Sequence, residues 1–112
     1  MTVSWKITPQ KVNAAIDRII EAGKPCKVIL FGSYVSGKMH LNSDLDVLVV
    51  AKDTVENPRK ESVRIRRALK GILMPMDIIV IQESALEEMA NTPGLIYREA
   101  LKNGRVVYES AA

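Results

Sequence analysis

The stretch V-I-L-F-G-S-Y-V-S-G-K-M-H-L-N-S-D-L-D-V-L-V-V, Val28 to Val50, most constrains what this chain can fold into. It opens on an apolar run, Val28 to Phe31, and breaks at Gly32-Ser33. After a polar loop it re-enters an apolar run that carries Asp44 and Asp46. Strand side chains alternate between faces, so Asp44 and Asp46 share one face, roughly 6.5–7 Å apart, while Leu45, Val47 and Val49 take the other. Two carboxylates side by side on an apolar strand repel each other and lose hydration, an arrangement that calls for a cation between them. Ahead of them, a strand ending at Gly-Ser frees backbone N–H groups and a hydroxyl for an anion. An anion cradle beside a carboxylate pair reads as a site for a metal-bound phosphate.

Around this stretch, helix and strand signals alternate. Thr8-Pro9 offers a cap and a first helical residue, Val12, Ala15, Ile16, Ile19 and Ile20 recur at helical spacing, and Gly23 is a stop. The spacing predicts a helix over about Pro9–Ala22, with Trp5 and Ile7 packed over its start. Lys27–Phe31 is the first strand, a short helix begins at Ser33 and ends at Gly37, and Lys38–Asn42 is expected to be mobile. The second strand spans about Asp44–Ala51 and is apolar on both faces at its far end, as in an interior strand. Asn57-Pro58 starts a helix to about Lys70, with Val63, Ala68, Leu69 and Ile72 as its apolar stripe. Arg59, Lys60, Arg64, Arg66, Arg67 and Lys70 make the rest of it basic, which reads as a solvated face. Pro75 precedes a third strand, Met76–Ile81. Ser84 with Glu87 suggests a capping box, and Thr92-Pro93 starts a last helix to about Asn103, closed by Gly104. Arg105–Glu109 is the final strand. The fold class is α/β (α+β), a small mixed sheet of about four strands flanked by helices, in a single domain over residues 1–112.

The third strand carries one acid, Asp77, near its start, although Asp is depleted in strands. If the second and third strands are neighbours, Asp77 stands beside Asp44 and Asp46. Three acids on adjacent strands can bind two Mg²⁺ together with substrate phosphates, and two such ions stabilise the entering and leaving oxygens of an in-line displacement. The chemistry is metal-dependent transfer on a nucleotide phosphate.

Composition excludes several other classes. Cys26 is the only cysteine, so an intrachain disulfide is impossible, a Cys-based zinc site is disfavoured and a reduced, cytoplasmic setting is the default. Cys26 itself is expected to be a small buried apolar residue. No segment approaches the ~20 apolar residues of a membrane span. The net charge of +3 suits phosphorylated ligands or an acidic partner but equally an ordinary solvated surface. Tyr34, Tyr97 and Tyr108 are too scattered for a stacking platform, so direct nucleic-acid binding is not expected. Lys38 and His40 read as solvated loop residues.

Gly32-Ser33, ten residues, then Asp44-Leu45-Asp46 resembles the G-S-x10-D-x-D signature of the nucleotidyltransferase superfamily that includes DNA polymerase beta. The short length and the downstream Asp77 make the chain similar to the minimal nucleotidyltransferases (MNT). The resemblance implies a nucleotidyltransferase fold with the Gly32 backbone and Ser33 on the triphosphate and Asp44 and Asp46 as Mg²⁺ ligands. It makes Asp77 the third ligand and general base. The reaction implied is attack on the α-phosphorus of an NTP, ATP moving AMP, with pyrophosphate leaving and two Mg²⁺ as cofactors. Proteins of this type are often paired with HEPN-domain ribonucleases in toxin–antitoxin modules, which implies a HEPN partner whose tyrosine is adenylylated. Larger superfamily members carry extra helical domains for nucleotide and acceptor, so a partner or a second copy, in a homo-oligomer, is expected to complete this site. Two other readings stand beside it: an antitoxin acting by contact alone, and a small-molecule transferase, which needs a second domain for its acceptor.

Overall fold

The computed structural model describes residues 4–40, 42–90, 92 and 96–111. Helix α1 (Pro9–Gly23) starts where the Thr8 hydroxyl accepts the Lys11 N–H at 3.2 Å and Pro9 fills the first turn. It runs one residue past the expected end. The left-handed residue is Lys24, φ 43°, whose N–H donates to Ile20 O. Gly23 instead serves a close approach: a Cβ there would lie 3.2 Å from Ile65 Cδ1 on a neighbouring helix.

Strand β1 (Lys27–Phe31) leads into a one-turn helix α2 (Ser33–Ser36), closed by the left-handed Gly37. Strand β2 (Leu45–Ala51), helix α3 (Pro58–Ala68) and strand β3 (Met76–Gln82) follow, then α4 (Glu83–Met89), α5 (Ile96–Asn103) and β4 (Arg105–Glu109). The four strands form one mixed sheet in the order β3-β2-β1-β4. β1 is antiparallel to β2 and to β4, whereas β2 and β3 are parallel, as the crossover through α3 requires. The sheet thus answers the expected class, and strands two and three are indeed neighbours.

Period-2 alternation sends each strand's residues to two cores. Val28, Leu30, Leu45, Val47, Val49 and Ile78 meet Val12, Ala15 and Ile19 of α1 and Ile65 of α3. Ile29, Phe31, Leu48, Val50 and Ile81 meet Leu86 of α4 and Ala100 of α5. Burying each such Ile or Leu contributes about 1.5–3 kcal/mol, so packing rather than propensity holds the short helices. Cys26 is half-buried beside this second core rather than fully buried. Burial, then the neighbouring Glu83, pushes its thiol pKa up.

Several local expectations are corrected. On α3 the anchor is Ile65, fully buried, while Val63 is 45% exposed. Two residues are about 200° of helical turn, which puts Val63 opposite Ile65 and Leu69. The capping box at Ser84 does not form. α4 continues directly from β3, with Gln82 at its N-cap, and the Ser84 N–H is accepted by Asp53 Oδ1 at 3.0 Å. Ile7 packs on the core, but Trp5 is 60% exposed. The His40 N–H donates to Ser43 Oγ at 2.9 Å and the Ser43 N–H returns to His40 O at 3.0 Å. The expected helix start at Thr92-Pro93 runs into residues 93–95, which lie outside the described residues, as does Leu41. No helix among the described residues is long and apolar enough to cross a membrane.

Candidate active site

The sheet register brings the sequence's acids together. Asp46 is the direct partner of Asp77 across the parallel β2–β3 pair, with neighbouring strands about 4.8 Å apart. On its other side Asp46 faces Phe31, the last residue of β1, so Gly32 emerges beside it. Three chain segments that are far apart in sequence therefore meet at one end of the sheet. Asp46 shares its face with Leu48 and Val50, on the α4–α5 side. Asp44 departs from the expectation: β2 begins at Leu45, so Asp44 precedes the strand and is exposed rather than strand-borne. The Leu45 N–H reaches Pro75 O at 2.9 Å, and pairing starts there.

Gly32 is the tightest point of the site. Its φ of 77° lies where L side chains are disfavoured, and a Cβ built on it would overlap Asp46 Oδ2 and stand 3.1 Å from Asp46 Cγ. Only a glycine lets the backbone pass this close to the carboxylate. Gly32 is also the N-cap of α2, its carbonyl accepting the N–H groups of Val35 and Ser36. No side chain caps this turn, so Ser33, at the first helical position, is not a capping hydroxyl.

Asp46 lies in the field of both other acids. The Asp46 carboxyl is pushed above its ordinary 3.8, first by burial, next by Asp77 and then by Asp44. Opposing this, the Arg66 guanidinium lies 3.6 Å from Asp77 Oδ1 and donates to Ile78 O at 3.2 Å. Both side chains of that pair are about half exposed. Arg66 was read from sequence only as part of a solvated basic face. Its spacing does not separate it from Arg67; only the crossover that lays α3 against β3 does. Of the two loop residues, Lys38 is exposed, and His40 serves the turn, its Nδ1 accepting the Asn42 N–H at 3.2 Å.

The donor set fits a hard divalent cation: carboxylate oxygens whose mutual repulsion a cation would relieve, beside a backbone held clear of any side chain. Among the described residues no three carboxylate, imidazole or thiol groups are already close enough to enclose an ion.

Comparison with known proteins follows the same line. The family model of the polymerase beta nucleotidyltransferases matches residues 14–112. Over 30 residues the chain is 53% identical to the protein adenylyltransferase MntA of Shewanella oneidensis, a match spanning 27% of this chain and 22% of that relative. Among solved structures, a candidate nucleotidyltransferase from Sulfolobus solfataricus superposes with a TM-score of 0.61 at 20% identity, covering 89% of this chain and 78% of that one. A toxin–antitoxin solved with AMP-PNP gives 0.55 at 22% identity, covering 88% and 73%. A mutant of the toxin–antitoxin MntA–HpeT gives 0.57 at 20% identity, again covering 88% and 73%. At these identities the structures share a fold with this chain.

Proposed function

Because this chain belongs to the polymerase beta nucleotidyltransferase family, we propose that residues 1–112 act as a minimal nucleotidyltransferase domain that moves AMP from Mg²⁺-bound ATP to a protein hydroxyl. The observation that carries this reading is the opposition of Asp46 and Asp77 across β2–β3, with Asp44 in their field and Gly32 pressed against Asp46.

The role of each residue follows from its place. The Gly32 backbone and the Ser33 hydroxyl, free of capping duty, receive the triphosphate at the start of α2. Asp44, Asp46 and Asp77 would hold the metal. Mg²⁺, when bound, supplies positive charge to the phosphate oxygens and lowers the cost of ionising the acceptor. The acceptor oxygen attacks the α-phosphorus and forms a new P–O bond. The bond from the α-phosphorus to the bridging oxygen breaks, pyrophosphate leaves, and the acceptor proton passes to Asp77. We assign the acceptor to the tyrosine of a HEPN-type toxin in the cytoplasm; the 53% identity over 30 residues with a protein adenylyltransferase supports a protein as acceptor.

Incubation with labelled ATP, Mg²⁺ and the genomic-neighbour protein tests this. Label should appear on the neighbour and fall to background with Asp44→Asn/Asp46→Asn, while thermal melting shows a folded variant. Undiminished transfer by that variant would refute the assignment. A second reading, neutralisation by contact, is favoured by the exposed basic surface of α3, where Arg59, Lys60 and Arg67 surround the exposed Val63. In that case the same variant would still neutralise its partner.

A further inference from the structure

The sole tryptophan of the chain lies outside the core, 60% exposed, although burying an indole is among the most stabilising things a small domain can do. It is nevertheless held in place. Lys11 Nζ donates to Ser4 O at 2.7 Å and to Lys6 O at 2.8 Å, the carbonyls on either side of Trp5, and to Leu73 O at 2.8 Å. Each bond is charge-assisted, so the segment bearing Trp5 is fastened to the loop ahead of β3. There the indole forms one wall of an open groove of about 350 Å³ beside β3, whose apolar lining includes Leu69, Ile72, Met76 and Ile78. Arg66 and Lys70 also line it, and none of its described lining residues is acidic.

Arg66 joins this groove to the carboxylates by direct contact. The groove lies on the α1–α3 side of the sheet, where Leu69 and Ile78 pack, whereas Asp77 shares the other side with Asp46. The Arg66 guanidinium stands 3.6 Å from Asp77 Oδ1 and 3.2 Å from Ile78 O, so one side chain reaches from the groove to the acid. No further strand stands in the way, because β3 is outermost in the sheet order β3-β2-β1-β4. The same order gives the reaction a direction. Gly32, just past β1, where the triphosphate is assigned, lies on one side of Asp46; Asp77, assigned to take the acceptor proton, lies on the other. Entering and leaving oxygens oppose each other in an in-line displacement, so the acceptor enters from the β3 side. From these positions we infer that the acceptor protein docks in the groove at the β3 edge through an acidic, apolar segment and brings its hydroxyl past Arg66 to Asp77. The inference rests on the transferase reading and adds to it the surface that receives the acceptor. The lining selects the occupant: apolar side chains suit the Leu, Ile and Met walls, and carboxylates suit Arg66 and Lys70. Tryptophan and arginine are also the residue types that most often anchor protein interfaces.

The full chain is mixed with its genomic-neighbour protein. Binding is measured by calorimetry, and label transfer from ATP with Mg²⁺ is followed against neighbour concentration. Lys70→Glu, in an exposed turn, and Trp5→Ala should each weaken neighbour binding about tenfold and raise the KM for it, with the affinity for Mg²⁺-ATP unchanged. Lys11→Met, by freeing Trp5, should weaken neighbour binding in the same sense. Rising salt should loosen the parent complex more steeply than that of Lys70→Glu. A photoreactive amino acid in place of Lys70 should capture the neighbour, and one in place of Val106, exposed on β4 at the opposite edge of the sheet, should not. Unchanged neighbour binding in both Lys70→Glu and Trp5→Ala would overturn the proposal, as would capture from the Val106 position alone. So would variants that lose only self-association, or only binding to a labelled RNA. Labelled neighbour with an unaltered KM would remove the docking surface and leave the transferase reading standing. A neighbour that never takes label would remove both.

Discussion

Replacing Asp46 by Asn should make the protein more stable, and the gain can be worked from the sheet. Asp46 faces Asp77 across about 4.8 Å of strand spacing, and Asp44, just ahead of the strand, adds a smaller repulsion. With an effective dielectric of about 40, between the protein-surface and bulk-water limits, the Asp46–Asp77 repulsion at about 5 Å amounts to about 1.7 kcal/mol. Arg66 beside Asp77 and the partial exposure of the group reduce the sum, leaving about 1–2 kcal/mol to be recovered. For a domain of this length that is a rise in Tm of about 4–8 °C. The pH dependence has a definite sign. The folded carboxyl binds its proton at higher pH than its ordinary 3.8, so ionisation penalises the folded state at neutral pH. The penalty fades as pH falls through the raised folded value towards 3.8. Melting the parent chain and Asp46→Asn in EDTA at pH 7.5 and at successively lower pH should therefore show the largest gap at pH 7.5, closing in acid. Millimolar Mg²⁺ should raise the parent's Tm and narrow the gap from the other side. A variant that melts at or below the parent at pH 7.5, or whose advantage grows in acid, would refute the mutual repulsion of the three acids.

Two further substitutions probe the same end of the sheet. Gly32→Ala forces a Cβ into Asp46 Oδ2 at a φ of 77°, so a loss of about 1–3 kcal/mol and of nucleotide affinity is expected in melting and calorimetry; an unchanged Tm would show that the approach is looser than the geometry states. Arg66→Gln removes a half-exposed ion pair, so its stability should change by less than about 1 kcal/mol, while Mn²⁺ titration should show tighter binding to the less neutralised Asp77 and Asp46. Weaker Mn²⁺ binding would instead make Arg66 an organiser of Asp77.

The meeting of Asp46 and Asp77 was legible in the sequence because strand alternation and the crossover rule are local. Alternation over S-D-L-D-V places Asp46 away from the Leu45–Val47–Val49 core, and a β-α-β crossover between the second and third strands makes their parallel pairing the natural outcome. Where the reading failed, a long-range contact had won over a local signal. Gly23 does end α1, but the left-handed turn falls to the next residue, Lys24, and the glycine's small size also admits Ile65. Ser84 and Glu87 matched a capping box, yet Asp53 from the turn after β2 reached the N–H first. Val63 belongs to the expected α3 stripe, yet Ile65 sets the buried face and leaves Val63 on the far side, and the helix ends at Ala68, short of Ile72.

Arg66 and Trp5 share a different reason for escaping notice. Each acts through a bond made to a backbone carbonyl distant in sequence, Arg66 to Ile78 O and the Lys11 clamp around Trp5 to Leu73 O. Carbonyls carry no residue identity, so no pattern of side chains announces such bonds. Both end at the same place, the loop and strand start that run from Leu73 to Ile78, with Asp77 among them. That segment is therefore tied from two sides, by α3 through Arg66 and by the N-terminal stretch through Lys11. Asp77 cannot withdraw from the repulsion of Asp46 without breaking one of these ties or the β2–β3 ladder. Holding like charges together in this way costs stability, which on the proposed reading a bound cation would return. A sheet end built to keep three carboxylates apart would need neither tie.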